Sequence, residues 1–394
     1  MEEIRHVYLS EIAELITKGT TPTTLGYEFQ DEGVNFFKIE CFDEAGNFIK
    51  NKVTYISENC HVKLKRSQLE VGDILFSIAG VIGRVTIVTS EMLPANVNQA
   101  LAIIRIKNTN VYLPYIKLIL ASPLVKKQFE KKKQGVAQLN ISLKDINELL
   151  IPLPSKQKQM QYTQVFEKIS DIIVKRKIEL TALDNLIKAR FVEMFGDPVN
   201  NEKGWITDTV DNLCIEIYGG GTPSKVHPEY YEDGDIPWVS SKDMKTDILT
   251  DSQIKINQMG VENSTARMVP VNSVIMVIRS GILKHTLPVA INAVPITVNQ
   301  DLKVFIPGER ILTRFLAVQF KMHEKDILTG VRAVTADNIE FNSLKQRKLI
   351  VPSIELQQEY VLFLEQVDKS KLEVQKALDK TQMLFDSLMQ KYFG

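Results

Sequence analysis

The sequence predicts an α+β chain: two pseudo-repeated mixed α/β domains separated by an antiparallel pair of long coiled-coil helices. Three observations predict it. The first is a repeat. Gly19-Thr20-Thr21-Pro22 returns as Gly220-Gly221-Thr222-Pro223, and aligning the prolines gives 223 − 22 = 201. Val97-Asn98-Gln99 returns as Val298-Asn299-Gln300 at that shift, as do Gly33 before Phe36-Phe37 (Gly234 before Pro237-Trp238) and Gly80-Val81 (Gly281-Ile282). A repeat this long is domain-sized, since solenoid periods run about 20–50 residues. The second is bulk: 394 residues, 44% hydrophobic and 24% charged, suit two or three ordinary globular domains. The third is a heptad-like stripe closing each copy.

The elements follow in chain order. Lys52–Ile56 and Ala102–Ile106 read as strands from their β-branched residues. Val71-Gly72-Asp73-Ile74-Leu75-Phe76 and Val271-Asn272-Ser273-Val274-Ile275-Met276 read as equivalent turn-then-strand units. Ile116, Ile119, Leu120 and Leu124 fall at helical spacing and predict a helix over Tyr115–Lys133, in which Pro123 must start or kink a second segment. Arg314–His323 is its counterpart.

After Ile151-Pro152-Leu153-Pro154, Phe166, Ile169, Ile173, Leu180, Leu183, Ile187 and Met194 alternate in steps of 3 and 4, with Arg176 and Arg190 filling the seam. After Val351-Pro352, Leu364, Val367, Val374, Leu378, Phe385, Leu388 and Tyr392 do the same, with Lys371 and Thr381 as exceptions. Each is a coiled-coil-like stripe of roughly four heptads. Both follow a proline, and both finish alike, Met194-Phe195-Gly196 and Tyr392-Phe393-Gly394, where glycine stops a helix. One stripe alone fits a helix lying on its own domain; two at matching places favour packing on each other. About 38 residues at 1.5 Å each make a helix of roughly 57 Å, more than a domain of about 150 residues needs. Connectivity makes the pair antiparallel and predicts two heads at the ends of a rod. The expected boundaries are 1–154 and 197–352 for the heads, with helices over 155–196 and 353–394.

Composition narrows function. A net charge of zero argues against polyanion binding by bulk charge, but a local basic groove suffices for nucleic acid. Cys41, Cys60 and Cys214 lack metal-ligand spacing and read as reduced cysteines. Met1-Glu2-Glu3 opens no signal peptide, and Ile74–Val88, broken by Arg84, is too short to span a bilayer; a cytoplasmic protein is expected. In Gly219–Lys225, Pro223 disrupts any phosphate loop. His6, His61, His227, His285 and His323 are too scattered for a zinc site or triad. Glu130-Lys131-Lys132 lacks an upstream aspartate on a strand, and Asp197-Pro198-Val199 lacks the second proline and aromatic of an amino-methyltransferase loop. No catalytic residue, metal or bound cofactor is expected.

Binding features are better represented. Lys63, Lys65 and Arg66 cluster in one loop, and Lys126, Lys127, Lys131, Lys132 and Lys133 around a helix; each cluster reads as a solubilising face or as phosphate contacts. The Thr20–Thr24 and Thr222–Lys225 turns, Ser240-Ser241-Lys242 and Arg279-Ser280 offer polar donors. Asn98-Gln99 and Asn299-Gln300 carry amides able to pair with adenine. Their retention in both copies favours a structural cap instead.

Gly135-Val136-Ala137-Gln138-Leu139-Asn140-Ile141-Ser142, leading into Leu149–Pro154 and a long helix, carries a family resemblance together with the Gly-x-Thr-Pro loops. The second half offers Gly330-Val331-Arg332-Ala333-Val334 and Leu349–Pro352, with the Gln-x-Asn-Ile-Ser element degraded. The chain resembles the specificity (S) subunit of type I restriction-modification systems over its whole length. The resemblance implies a non-catalytic, two-headed reader of double-stranded DNA. Each head is a target-recognition domain for one half of a split asymmetric sequence, and the helices are the spacer. Two modification subunits, which bind S-adenosylmethionine and methylate adenine N6, are the implied partners, with restriction subunits joining where DNA is cut. The candidate DNA contacts are Lys18, Thr20, Thr21, Lys63, Lys65, Arg66, Arg84, Gln138, Asn140, Thr222, Ser224, Lys225, Ser240, Lys242, Arg279, Ser280, Lys284 and Arg332. The spacer and partner-binding candidates are Phe166, Ile169, Ile173, Leu180, Leu183, Ile187, Leu364, Val367, Leu378, Phe385 and Leu388. The two halves of a DNA code are expected where the copies differ: Ala79 against Ser280, Gly83 against Lys284, Gln138 against Ala333. The competing reading is a stand-alone two-headed DNA-binding scaffold or regulator without a methyltransferase partner.

Overall fold

The computed structural model describes residues 4–130, 140–330, 332–333 and 337–393. Lys131, Lys132, Lys133, Gln138, Val331, Val334, Gly394 and the Met1–Glu3 segment lie outside them. The chain divides into two compact units, Met1–Lys177 with Lys376–Gly394, and Ile178–Gln375. Each long helix contributes a segment to both.

In the first unit a four-stranded antiparallel sheet runs in the order Leu15–Lys18, Leu101–Arg105, Ile74–Ser77, Val85–Ile87. Its central strands are apolar on both faces because both are covered; Ile74, Leu75, Phe76, Ile103 and Ile104 are all buried. A second sheet orders Thr54–Ile56, Val34–Phe37 and Ala95–Val97, the last two parallel. The expected strand at Lys52 begins only at Thr54, because Lys50–Lys52 closes a 3₁₀ turn. The expected helix is two, Leu113–Leu120 and Pro123–Glu130, and the proline opens the second.

The second unit repeats this plan. Its larger sheet is ordered Cys214–Gly219, Leu302–Pro307, Val274–Val277, Val289–Asn292, Ile248–Leu249, and its smaller one Lys255–Ile256, Ile236–Val239, Thr297–Val298. The helix Thr313–Met322 buries Phe315, Leu316 and Phe320 in the core of this unit.

The shared frame corrects one alignment. Gly72 (φ 90°) and Asn272 (φ 65°) occupy the same left-handed turn position, so here the copies stand 272 − 72 = 200 apart. Ile78 N–H donates to Ala100 O, and Ile278 N–H to Asp301 O, both at 2.9 Å. Arg279 therefore answers to Ala79, and Ser280 to Gly80. The hairpin that follows closes between Ser77 and Arg84 in one unit but between Val277 and Pro288 in the other. Lys284 lies in the longer loop and has no counterpart at Gly83. Counting along the chain misses such an insertion because later residues restore the 201 shift.

The long helices are Lys156–Phe195 and Ile354–Phe393. Within each unit their segments pack antiparallel. In the first, Tyr162 meets Tyr392 (ring centroids 4.6 Å apart) and Phe166 meets Phe385 (5.3 Å). In the second, Tyr360 lies between Phe191 and Phe195 and donates to Ile187 O at 3.0 Å, and Lys371 meets Asp184 at 2.6 Å. The seam is as the 3-and-4 spacing predicts. Phe166, Ile169, Leu364, Val367 and Leu378 are buried; Ile173, Leu180, Leu183, Ile187, Phe385 and Leu388 are half-buried. Half-burial is what one partner helix provides. Tyr392, against Tyr162, lies at the edge of the seam and is 36% exposed, while Met389 and Phe393 beside it are buried. Phe393 keeps contact with Phe166 of the partner helix (5.7 Å) and also docks on the globular core, where it meets Tyr115 at 5.9 Å. Gly196, at φ 75°, ends the first long helix as expected.

A buried glutamine fastens each long helix to its unit. Gln159 accepts from Tyr112 N–H (2.8 Å) and donates to Pro154 O (2.8 Å) and Asn110 O (3.3 Å). Gln357 repeats this with Leu312 N–H (2.9 Å), Pro352 O (2.9 Å) and Arg310 O (3.0 Å).

Candidate nucleic-acid interface

Sheet register brings the loops singled out in the sequence to one end of each unit. In the second unit Gly219 pairs with Lys303 and Val277 with Leu302, so the loops leaving Cys214–Gly219 and Val274–Val277 emerge where Leu302–Pro307 begins. Val239 pairs in parallel with Val298, adding the loops after both. Thr222, Ser224, Lys225, Ser240, Lys242, Arg279, Ser280 and Lys284 thus share one rim. In the first unit Lys18 pairs with Ala102, Ser77 with Leu101 and Phe37 with Val97. The equivalent rim gathers Lys18, Thr20, Thr21 and the 78–84 hairpin. Arg66 Nη2 reaches Thr20 Oγ1 at 3.5 Å, bringing exposed Lys63 and Lys65 with it. Ile141 N–H donates to Ile78 O and Ile339 N–H to Ile278 O, so exposed Asn140 and the paired strands Arg332–Ala333 and Asp337–Asn338 join their rims. Arg332 pairs with Asn338 through its backbone; its side chain, like Gln138, lies outside the described residues. Lys126 and Lys127 are exposed on the helix Pro123–Glu130, whose Gln128 is tied to Leu150 rather than to these loops.

The repeated motifs prove to be the frame beneath each rim. Thr21 Oγ1 donates to Gln99 Oε1, and Thr222 Oγ1 to Gln300 Oε1. The preceding glycines allow that approach. A Cβ on Gly19 would lie 1.8 Å from Val97 O, and one on Gly220 1.9 Å from Val298 O. Asn98 Oδ1 caps Ala100 N–H at 3.2 Å, and Asn299 Oδ1 caps Asp301 N–H at 3.1 Å. The structural reading of the Asn-Gln pair holds, and Thr21 and Thr222 have their hydroxyl protons engaged.

Other candidates sort by their partners. Arg84 donates to Phe42 O (2.8 Å) and Ile39 O (3.3 Å), so its guanidinium ties two rim loops together instead of facing outward. Ser240 Oγ donates to Asp243 Oδ2 at 2.8 Å and shapes a turn, leaving Lys242 exposed. Ser280 caps the turn Gly281–Lys284. Lys284 stands 3.8 Å from Asp337 with its side chain 65% exposed. Arg279 is held by Asp301. Burial lowers the Lys303 pKa; its ammonium sits 4.5 Å over the Phe341 ring.

Arg267 was not expected. It forms a double ion pair with Glu216 (2.5 and 2.9 Å) and stacks 4.1 Å over Tyr218. The repeat gave no signal for it: Leu69 N–H to Ala95 O is matched by Val269 N–H to Ile296 O, so here the copies stand 269 − 69 = 200 apart and Arg267 answers to Ser67 rather than to Arg66. In the first unit, at a different place, buried Asp73 holds Arg105 Nε at 2.7 Å and Nη2 at 2.8 Å and raises the arginine's pKa.

Among the described residues no group of three or more His, Cys, Asp or Glu is placed to hold a metal ion, and no helix is long and apolar enough to cross a membrane.

Two frames of one plan, each displaying its own loops, define a duplicated recognition module. The chain belongs to the type I restriction modification DNA specificity domain family, whose model matches residues 1–182 and 202–381. It is 32% identical over 242 residues to the type I restriction enzyme EcoR124I/EcoR124II specificity subunit of Escherichia coli; the match takes in 61% of this chain and 59% of that relative's length. Two solved structures share the fold. One describes complex assembly and conformational transition of the type I R-M system (TM-score 0.65, 15% identity, 100% of this chain and 98% of that one). The other is the type I restriction-modification S subunit from M. genitalium (TM-score 0.54, 14% identity, 100% and 97%).

Proposed function

We propose that this chain is the DNA-recognition subunit of a type I restriction-modification complex. Each unit reads one half of a bipartite, asymmetric DNA target through the rim of loops at one end of its sheets. The chain is non-catalytic and works in the cytoplasm with two adenine-N6 methyltransferase subunits that carry S-adenosylmethionine, and with restriction subunits where DNA is cut. One observation carries this reading: the same Gly–Thr–Gln frame underlies both rims, while the side chains displayed on it differ. A module that read one sequence twice would have no reason to diverge there. Exposed Lys18, Lys63, Lys65, Arg66, Lys225, Lys242 and Lys284 supply phosphate contacts that set register, and a few polar groups read bases. Phe166 meets Phe385 across the helix pair, which supports a spacer role for the seam. A methyltransferase partner would meet exposed residues instead.

The test is the adenine methylome of cells carrying this chain with its methyltransferase subunits. One asymmetric bipartite motif is expected, and a seven-residue insertion near Arg176 should lengthen its gap while leaving both half-sites alone. Methylation that does not depend on the chain would overturn the recognition role; an unchanged gap would overturn the spacer role.

A further inference from the structure

Resting on that recognition reading, we propose that Arg279, oriented by Asp301, reads a guanine in the half-site of the second unit, and that the first unit lacks this reader.

Arg279 and Asp301 set the second unit apart from the first at this place. Ile278 N–H donates to Asp301 O as Ile78 N–H donates to Ala100 O, each at 2.9 Å, so the backbones coincide. On that frame the second unit displays Arg279 and Asp301, and the first displays Ala79 and Ala100. Both members change together. The frame does not need them, because the first unit makes the same backbone bond with two alanines. Stability does not explain them either. The arginine side chain is 49% exposed, and an ion pair that open contributes little.

The geometry suits a base edge. Asp301 Oδ1 accepts from Arg279 Nε at 2.7 Å and lies 2.6 Å from Nη2. Asp301 is itself held by Asn299 Nδ2 at 3.2 Å. The inner side of the guanidinium is thereby fixed, and Nη1 has no partner among the described residues. Nη1 and the second Nη2 proton then point outward as two parallel donors, the fork that matches guanine O6 and N7 in the major groove. Fixing the side chain beforehand reduces the rotamer entropy lost on binding. A phosphate contact is disfavoured here, because the adjoining carboxylate repels a phosphate but leaves an uncharged base edge unopposed. The position fits as well: Arg279 bridges Asn338, next to Lys284 and the Thr222–Gln300 latch on the same rim.

The experiment uses the full complex with its methyltransferase subunits and DNA libraries randomised in one half-site at a time. Arg279→Ala should lose about 5- to 150-fold discrimination for guanine at one position of one half-site, the range of a bidentate arginine–guanine pair. The other half-site should be unaffected. Arg279→Lys should keep most of the affinity yet lose the same preference, since it retains charge without the fork. Asp301→Asn should weaken that preference in part. Uniform weakening across all sequences would make Arg279 a phosphate contact and overturn the assignment. Unchanged preferences would make the pair a surface ion bridge and overturn it equally. A wild-type complex without any sequence preference would instead sink the recognition reading beneath it.

Discussion

Replacing Gln357 with alanine is expected to cost the second unit roughly 3–5 kcal/mol. Gln357 is fully buried where the second long helix begins, and its amide satisfies three backbone groups: Leu312 N–H, Arg310 O and Pro352 O. Truncation removes three hydrogen bonds and strands three polar groups away from water, at about 1–3 kcal/mol for each group left unpaired. Partial entry of water lowers the sum toward the bottom of that range. Gln357→Glu tests the direction of the bonds, because a carboxylate keeps the acceptor for Leu312 but faces two carbonyls with no proton to give. It should be at least as damaging. The matching Gln159→Ala should destabilise the first unit by a similar amount. The assay is urea unfolding followed by far-UV circular dichroism, with near-UV signals reporting tertiary packing. Losses below about 0.5 kcal/mol in both alanine variants would refute the idea that these amides fasten helix to domain.

Two further outcomes follow from the geometry. Gly220→Ala would drive a methyl group against Val298 O, so it should cost about 3 kcal/mol and undo the Thr222–Gln300 latch; a wild-type melting curve would refute the close approach. His323 is 2% exposed, neither ring nitrogen has a hydrogen-bond partner among the described residues, and burial pushes its pKa down to about 4. The unfolded chain, with an ordinary histidine pKa of about 6.5, therefore binds the proton first. Stability from this site is full above pH 6.5 and should fall by about 1.4 kcal/mol per unit as pH drops toward 4. His323→Leu should flatten that part of a stability–pH curve, and an unchanged slope would contradict it.

Much of this protein was legible in the chain. Hydrophobic spacing of 3 and 4 located both long helices and their seams, because a helix that buries one stripe must repeat it. The recurring Gly-x-Thr-Pro and Asn-Gln elements marked the duplication, because a backbone approach that only glycine permits tolerates little change. Other features were less plainly written. The slip at Ala79 and Arg279 was implied by Val71–Phe76 answering Val271–Met276 at 200, but the longer second hairpin and the return to 201 at Asn98 and Asn299 masked it, and the bond partners of Ile78 and Ile278 decide it. Phe393 is buried deeper than Tyr392 because it meets both the partner helix at Phe166 and the first unit's core at Tyr115, a burial the seam spacing alone does not show.

The sequence by itself determined the two-unit plan, the paired helices and the residues from which a reading surface could be drawn. Only the tertiary structure decided which of them face outward. A threonine, a glutamine or an arginine carries the same donors whether it latches a loop or meets a ligand. Arg84, spent on the carbonyls of Phe42 and Ile39, and Arg279, held at one edge and open at the other, differ only in what the fold has placed beside them.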